Sequence, residues 1–372
     1  MQAMYFPILK AKDAEFNALL EAKKHVMSNM IPLFDVPKFN PELKKYINDP
    51  HAKATFLSEI SLKIGKIRSG MAAMFDTYHW QNPDEKIESG EHHLSYLYNT
   101  LKSQGVIAIP VVGYDRWDDE EYRLALRSIA RTHIGQFCIR LDRFAFEDVG
   151  DPEHFHERLA EILNYLEIVP TNCHVILDLQ DLSEQAIADI ISHFDSLFSA
   201  IHVYGFSSYS IAGCSLPNSI DKAVKTKDST GSILRREMLL WKYAREKYSS
   251  YAIYFGDYGI RGPSTTESGY GNTNAKIRYT IDNEFFIVRG HVIKKPIGGF
   301  QHCDLARILV NSEHFLQPEF SWGDNEIMRC SKNVIGGGST TWIKIDISHH
   351  IGYVVTEIAE YERERVTRAV KV

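Results

Sequence analysis

The stretch YFGDYGIRGP, residues 254–263, starts as an apolar strand and ends in glycine, charge and proline. It completes a series of eight short apolar runs, most of them followed by turn residues and then by apolar positions at helical spacing. The runs are Tyr5–Lys10, Met30–Val36, Met71–Tyr78, Val106–Tyr114, Gln136–Asp142, His174–Gln180, Ile201–Phe206 and Ala252–Asp257. The first 263 residues therefore predict strands that alternate with helices.

Alternating strands and helices pair in parallel through right-handed crossovers. Eight repeats in about 250 residues match a closed (β/α)8, TIM-like barrel. An open, doubly wound sheet with extra strands is the alternative. The first strand-to-helix turn, KAKDAEF at residues 10–16, lacks the G-x-G-x-x-G phosphate fingerprint of that fold. We therefore predict an α/β protein with a barrel over residues 1–263.

The pattern changes after Pro263. STTESGYGNTNAK, residues 264–276, is typical of a linker, and residues 277–293 predict a hairpin that turns near Asp282 and Asn283. A helical stretch follows, and TTWIKID at residues 340–346 resembles a strand. We interpret residues 264–372 as an α+β cap packed on the barrel.

Composition excludes some classes of function. The chain of 372 residues carries a net charge of −6, which argues against broad, sequence-independent binding of nucleic acid. The five cysteines are scattered without a C-x-x-C pair, as in the reduced thiols of a cytoplasmic protein. No apolar run of 18 residues predicts a membrane segment.

Alternation along two runs predicts which polar side chains face the barrel interior. In GQFCIRLDR, residues 135–143, the apolar set faces the helices, so Arg140 and Asp142 point inward. The same rule turns Asp178 and Gln180 inward from the following run. The ends of other runs add Lys10, Asp35, Asp76, Tyr114, Asp115 and Asp257, and the loop after the last run adds Tyr258 and Arg261. Active sites of barrels lie at this carboxyl end.

Two chemistries fit these residues. Asp142, Asp178 and Asp257 are the candidate catalytic residues, either as Mg²⁺ ligands or as bases. The candidate ligand-binding residues are Lys10, Asp35, Arg140, Gln180, Tyr258 and Arg261, in which the cations are suited to hold an anion. The structural alternative is that such charges form buried ion pairs or solvated caps.

Paired histidines are a weaker signal. His92-His93, His154-x-His156 and His349-His350 are reminiscent of metal sites, but neighbouring helical positions point apart and no third ligand is evident. We expect surface or capping histidines at these positions.

Six strings spread over the chain resemble the Beta-protein family of phages and bacteria. They are YFPILKAKDAEFNAL, IPLFDV, GDYGIRGP, SWGDNEI, TTW and SHHI. The matching positions are Pro7, Lys10, Asp35, Gly256, Asp257, Tyr258, Trp322, Gly323, Asp324, Trp342 and His350. The resemblance implies a setting of phage–host conflict, such as antiphage defence, and implies no particular reaction.

Together these observations predict a pocket at the barrel mouth for an anionic ligand, either phosphorylated or a nucleotide. If the protein is an enzyme, a metal-assisted hydrolase or phosphodiesterase fits best. The alternative is a non-catalytic interaction subunit that binds a partner protein of a defence system through residues 264–372. That alternative is motivated by the implied setting and by the aromatic residues of the C-terminal part, because aromatic side chains often anchor interfaces.

Overall fold

The computed structural model describes residues 4–80, 86–263, 274–292 and 301–370, and it shows a mixed α/β protein. The strands are β1 (Ile8–Lys10), β2 (Leu33–Asp35), β3 (Ala72–Asp76), β4 (Ile107–Gly113), β5 (Phe137–Leu141), β6 (Cys173–Asp181), β7 (Ser208–Cys214), β8 (Ser229–Leu234), β9 (Ile253–Phe255), β10 (Asn274–Ile281) and β11 (Glu284–Val292). The helices are α1 (Asp13–Leu20), α2 (Lys24–Ser28), α3 (Ala52–Arg68), α4 (His93–Ser103), α5 (Glu120–Ala130), α6 (Arg143–Asp148), α7 (Pro152–Leu166), α8 (Ile187–Ile201), α9 (Ile220–Ala223), α10 (Arg236–Lys247), α11 (Gln301–Val310), α12 (Trp322–Ser331) and α13 (Ser339–Val370). Most of the predicted linker, residues 264–273, lies outside the described residues.

Eight parallel strands form one sheet in the order β1-β2-β3-β4-β5-β6-β7-β9. The register aligns the carboxyl ends of the first three strands, so that Lys10 lies beside Asp35 and Asp35 lies beside Asp76. Farther along the sheet, Gly113 of β4 pairs with Arg140 of β5. Polar residues from distant parts of the sequence are therefore brought to one end of the sheet.

The two end strands of the sheet meet at a seam. Tyr5 forms an isolated parallel bridge with Phe255, the Phe6 N–H donates to the Phe255 carbonyl at 2.8 Å, and the Ile8 N–H donates to the Asp257 carbonyl at 2.7 Å. No continuous strand ladder joins β1 to β9 in the described chain. The structure thus confirms the α/β class and a curled, eight-stranded parallel sheet, and it does not establish the fully closed TIM-like ring that the sequence predicts.

Helices pack on the sheet through apolar faces with the predicted spacing. In α5, Tyr122, Leu126 and Ile129 are buried while the acidic first turn is largely exposed. The Asp119 side chain caps this helix by accepting from the Tyr122 N–H at 3.0 Å. These contacts join the helices to the main apolar core, which extends through the whole sheet.

The seventh strand lies later than the sequence predicts. The apolar run Ile201–Phe206 contains the end of α8 and a short 3-10 helix at His202–Tyr204, and Gly205 stops the helix with a φ of +68°. The strand itself is β7, in which Ser208 and Ser210 are buried. These serines lower the apolar content of β7, so the pattern of apolar residues does not predict a strand there.

The predicted hairpin is confirmed as β10 and β11, which turn at Asp282 and Asn283, the latter with a φ of +56°. The second sheet also contains β8, which pairs antiparallel with β11 and which the sequence does not predict. The prediction of a strand at TTWIKID is wrong, since α13 begins at Ser339. Side chains at helical spacing, such as Ile347 and Ile351, bury this helix in the main core.

None of the helices in the described ranges combines the length and the apolar composition that crossing a membrane requires.

Candidate functional site

A set of charged side chains, joined by the Tyr258 hydroxyl, fills the carboxyl end of the curled sheet, and we name it the inner charge cluster. Its members come from the ends of six strands and the loops that follow them; Asp115 is partly buried and the others are buried. They are Asp35, Asp76, Asp115, Asp142, Asp178, Arg116, Arg140 and Tyr258. Burying so many charges costs free energy unless each finds a partner.

Arg140 is the centre of this cluster. Its guanidinium donates to one Asp178 oxygen from Nε at 2.9 Å and from Nη2 at 2.7 Å, and Nη1 donates to Asp76 at 2.8 Å. Nη2 also approaches the Tyr258 hydroxyl at 2.9 Å, and that hydroxyl donates to Asp178 at 2.6 Å. The structure therefore brings together Arg140, Asp178 and Tyr258, which the sequence predicts at one site. Because these groups engage one another, the Arg140 guanidinium is committed to internal ion pairs.

Asp76 and Arg116 complete the pairing. The Asp76 carboxylate accepts from Arg116 Nη1 at 2.8 Å as well as from Arg140. Burial alone raises the pKa of Asp76, but the two guanidiniums outweigh it and hold the pKa below its usual range. The sequence predicts Asp76 among the polar strand ends, although not among the candidate site residues, and it does not predict Arg116. The signal for Arg116 is its position directly after the end of β4, in the sequence YDR.

Asp142 has a different environment within the same cluster. One carboxylate oxygen caps α6 by accepting from the Phe144 N–H at 3.3 Å, and the other has no hydrogen-bond partner among the described residues. Burial, followed by the charges of Asp115 and Asp178, raises the pKa of Asp142 to about 7. A carboxyl that titrates near neutral pH is suited to give or take a proton.

Lys10, Asp35 and Gln180 lie around the cluster. One Asp35 oxygen is 3.8 Å from Arg140 Nη1, and the other is 3.3 Å from His79 Nε2. Burial, together with the nearby charge of Arg261, lowers the pKa of Lys10 to about 8. Gln180 has a φ of +56°, and its N–H donates to Asp178 at 3.1 Å. These predicted residues all lie at the carboxyl end of the sheet.

Asp257 lies in a second buried group. Its carboxylate accepts from the Tyr5 hydroxyl, from His350 Nε2 at 2.9 Å and from the Gly259 N–H at 2.9 Å. Burial alone raises the pKa of Asp257, but the charge and hydrogen bond of His350 lower it below its usual value. His350 Nδ1 is in turn 2.7 Å from the Thr280 hydroxyl. Asp257 therefore links the sheet to α13 and the hairpin.

Two of the three predicted Mg²⁺ ligands have side-chain partners within the protein. Asp178 is paired with Arg140, and Asp257 is paired with His350. Across the described parts of the chain, no group of three or more His, Cys, Asp or Glu side chains is arranged to hold a metal ion.

A cleft of about 440 Å³ opens at the same end of the sheet, beside β1 and β2. We name it the cationic cleft, because five cationic side chains and only two acidic ones line it. It is lined by Ala11, Lys12, Asp13, Ala14, Pro37, Lys38, Asn40, Leu43, Lys45, Tyr46, Phe56, Glu59, Ile60, Lys63, Arg261, Thr340 and Ile343. Of the predicted residues, Arg261 lies in this wall, where it also donates to Glu15 at 3.2 Å.

Several residues that carry the family resemblance join the C-terminal helices. Gly323 of α12 faces the α13 backbone so closely that a β-carbon would overlap the Ile345 carbonyl and lie 3.0 Å from the His349 nitrogen. Asp324 lies 3.1 Å from His349 Nδ1, and Tyr279 stacks on the His349 ring with centroids 3.6 Å apart. The expectation that His349 and His350 lie at the surface or form caps is wrong, since both are fully buried.

No curated protein matches the chain. A family model with the description Beta protein matches residues 5–356. The match covers the curled sheet, the second sheet and the first half of α13. The chain therefore belongs to the Beta protein family.

Proposed function

We propose that the protein binds a small anionic ligand, phosphorylated or a nucleotide, in the cationic cleft. The observation that carries this proposal is the charge of the cleft wall. Five cationic side chains face two acidic ones, in a chain whose net charge is −6. A local excess of cations on an acidic protein raises the local concentration of an anionic ligand.

Two cations of the wall, Lys45 and Lys63, are accessible to an anion. Lys63 pairs with Asp13 at 2.6 Å, and Lys45 pairs with Glu59, but all four side chains are partly exposed. Exposed ion pairs contribute only about 0–1 kcal/mol, so a phosphate exchanges with such a partner at little cost. Each lysine offers its ammonium from a flexible stem, which suits binding of phosphate oxygens.

The shape and the apolar part of the cleft support a ligand larger than phosphate. A volume of about 440 Å³ lies in the range of small-molecule sites, which is roughly 300–1,000 Å³. Tyr46 and Phe56 line it and pack against each other with ring centroids 6.0 Å apart. Aromatic side chains of this kind favour a flat ring such as a nucleobase. A nucleotide therefore matches both features of the wall, because it carries a phosphate for the lysines and a flat base for the aromatic rings.

The place of the cleft in the fold gives further support. Its walls include the segments directly after β1, β2 and β9, which end at the carboxyl edge of the sheet. Ligand sites of parallel α/β proteins lie at this edge. We also propose that the curled sheet acts as a closed barrel there, on the support of the Phe6–Phe255 and Ile8–Asp257 hydrogen bonds at the seam.

A thermal-unfolding panel tests the proposal. The full chain is heated with inorganic phosphate, nucleoside mono-, di- and triphosphates, and the matching nucleosides. A ligand that binds only the folded protein raises its melting temperature with concentration. We expect a rise with at least one phosphorylated ligand and none with its nucleoside. Equal melting temperatures across the phosphorylated panel contradict the proposal.

The setting implied by the family resemblance is phage–host conflict, and we propose that the cleft acts in antiphage defence. In bacteria that express the chain, loss of the cleft lysines is expected to restore phage plaques if the ligand is needed. The alternative is an interaction subunit in which residues 264–372 dock a partner protein. Full protection by the cleft variant, together with co-purification of one defined partner, favours that alternative.

A further inference from the structure

Two buried thiols meet between α11 and α12. The sulfur atoms of Cys303 and Cys330 are 3.4 Å apart, and the two residues are 3% and 0% exposed. The other cysteines, Cys138, Cys173 and Cys214, lie in strands of the parallel sheet. The sequence separates the pair by 27 positions, so it shows no spacing signal for this contact.

Both thiols lie near the ends of their helices, where the backbone adjusts most easily. Cys303 is in the first turn of α11, and Cys330 is the second-last residue of α12. A disulfide has a sulfur–sulfur distance of about 2.05 Å, so the sulfurs must approach by about 1.4 Å. The segment after α12 has two residues with left-handed backbone, Asn333 at φ +59° and Gly337 at φ +90°. No helix or strand lies between α12 and α13 in this segment of the described chain, so a shift of the end of α12 need not break a regular element there.

The same segment covers the thiols. Cys303 Sγ lies 3.4 Å from the Ile335 carbonyl, and Cys330 Sγ lies 4.0 Å from the Gly336 carbonyl. Residues 332–334 and 337–338 are exposed. Local opening of a short surface segment therefore gives an oxidant access to the pair. Burial and the neighbouring thiol raise the pKa of Cys330, so oxidation is expected to be slow while the segment is closed.

We propose that Cys303 and Cys330 are a redox modification site that forms an intramolecular disulfide under attack by a hydroperoxide. One thiolate attacks the peroxide, so that a sulfur–oxygen bond forms, the oxygen–oxygen bond breaks, and water or an alcohol leaves. The second thiol attacks the resulting sulfenic sulfur, forms the disulfide and releases water. The two thiols lose two electrons and two protons, which the hydroperoxide takes up.

The disulfide ties α11 to α12 and closes a loop of the intervening chain. A cross-link of this kind reduces the freedom of the unfolded chain, so the oxidised protein is expected to unfold at a higher temperature than the reduced protein. This inference concerns the C-terminal helices and does not depend on a ligand in the cationic cleft.

Peptide mass mapping of the full chain tests the proposal. The folded protein is treated with hydrogen peroxide, alkylated and digested. We expect one linked pair of peptides that carries Cys303 and Cys330, lighter than the two free thiols by two hydrogen atoms and separated by dithiothreitol. Cys303→Ser and Cys330→Ser each abolish the linked pair, whereas the control Cys214→Ser retains it.

Overturning results are equally specific. A different linkage, five alkylated thiols after peroxide treatment, or sulfonic acids without a cross-link each contradict the proposal. If a serine variant fails to fold, mapping of the wild-type chain decides by itself.

Discussion

The guanidinium of Arg140 donates two hydrogen bonds to one carboxylate oxygen of Asp178, at 2.9 Å from Nε and 2.7 Å from Nη2. The pair joins β5 to β6 inside the curled sheet, and Tyr258 and Asp76 complete its surroundings. Since both partners are buried, each depends on the other to offset the loss of water. The Arg140–Asp178 ion pair therefore gives the inner charge cluster a role in stabilising the fold.

We predict that Arg140→Met destabilises the protein severely. Methionine approximates the length of the arginine stem, but it leaves Asp178 with only the neutral Tyr258 hydroxyl and Gln180 N–H donors, and it removes one of two cations from Asp76. Removal of one partner of a buried ion pair costs about 3–5 kcal/mol. Urea unfolding followed by circular dichroism measures the change in the free energy of unfolding.

The control is Arg368→Met on α13. Arg368 pairs with Glu246 at 2.9 Å, but both side chains are more than half exposed. Its loss is expected to change the free energy of unfolding by less than about 1 kcal/mol. Equal changes in the free energy of unfolding for the two variants contradict a stabilising role of Arg140.

Asp142→Asn is expected to change how stability depends on pH. Asp142 titrates at about 7 in the folded protein and near 4 in the unfolded chain. Between these pH values the folded state holds a proton that the unfolded chain has released. The contribution of Asp142 to the free energy of unfolding is therefore full below about pH 4 and is lost as pH rises through about 7. Asparagine keeps an oxygen to cap α6 but does not titrate.

The measurement is the free energy of unfolding of wild type and Asp142→Asn between about pH 4 and pH 8. From the lower to the higher pH, the variant gains stability relative to wild type by a few kcal/mol, in order of magnitude. A constant difference across that range shows that Asp142 titrates at its ordinary value and removes the case for proton transfer.

Gly323→Ala tests the contact between α12 and α13. A β-carbon at this position overlaps the α13 backbone, which cannot move as a side chain does. The expected cost is about 1–3 kcal/mol or more. Gly338→Ala is the matched control, because a β-carbon there meets no atom within 4 Å in the described structure. Thermal unfolding of the two variants distinguishes them, and a Gly323→Ala protein as stable as the control contradicts the close packing.

The sequence predicts much of the parallel sheet because local patterns report burial. Apolar alternation around Arg140 and Asp178 correctly indicates that both side chains face the interior, and the distance of 2.7 Å between them follows from the pairing of β5 with β6. The same reasoning fails for β7. Its buried serines lack an apolar pattern, whereas the end of α8 has one.

The sequence does not show which residues far apart in the chain contact each other. Asp257 ends an apolar run like the other candidates, yet its carboxylate meets His350, which is 93 positions away. Pairwise contacts of this kind arise from the packing of α13 against the sheet, which no local period encodes. The sequence does not predict the cationic cleft for the same reason, since Lys45, Lys63 and Arg261 come from three separate segments and meet only in the folded protein.

Calorimetric titration of cleft variants tests the account most directly, with the phosphorylated ligand that raises the melting temperature most. Lys45→Gln/Lys63→Gln removes two partly exposed lysines from the cationic cleft. Lys222→Gln/Lys247→Gln removes two lysines of similar exposure that pair with Glu184 and Asp195 outside the cleft. The net charge changes equally in both variants.

We expect the cleft variant to bind about tenfold more weakly than wild type, because two exposed cations together contribute roughly 1–2 kcal/mol to holding an anion. The control variant is expected to bind as wild type does, and added salt is expected to narrow the gap between the two variants because it screens exposed charges. Equal affinity of the cleft and control variants at low salt contradicts an anion site in the cationic cleft.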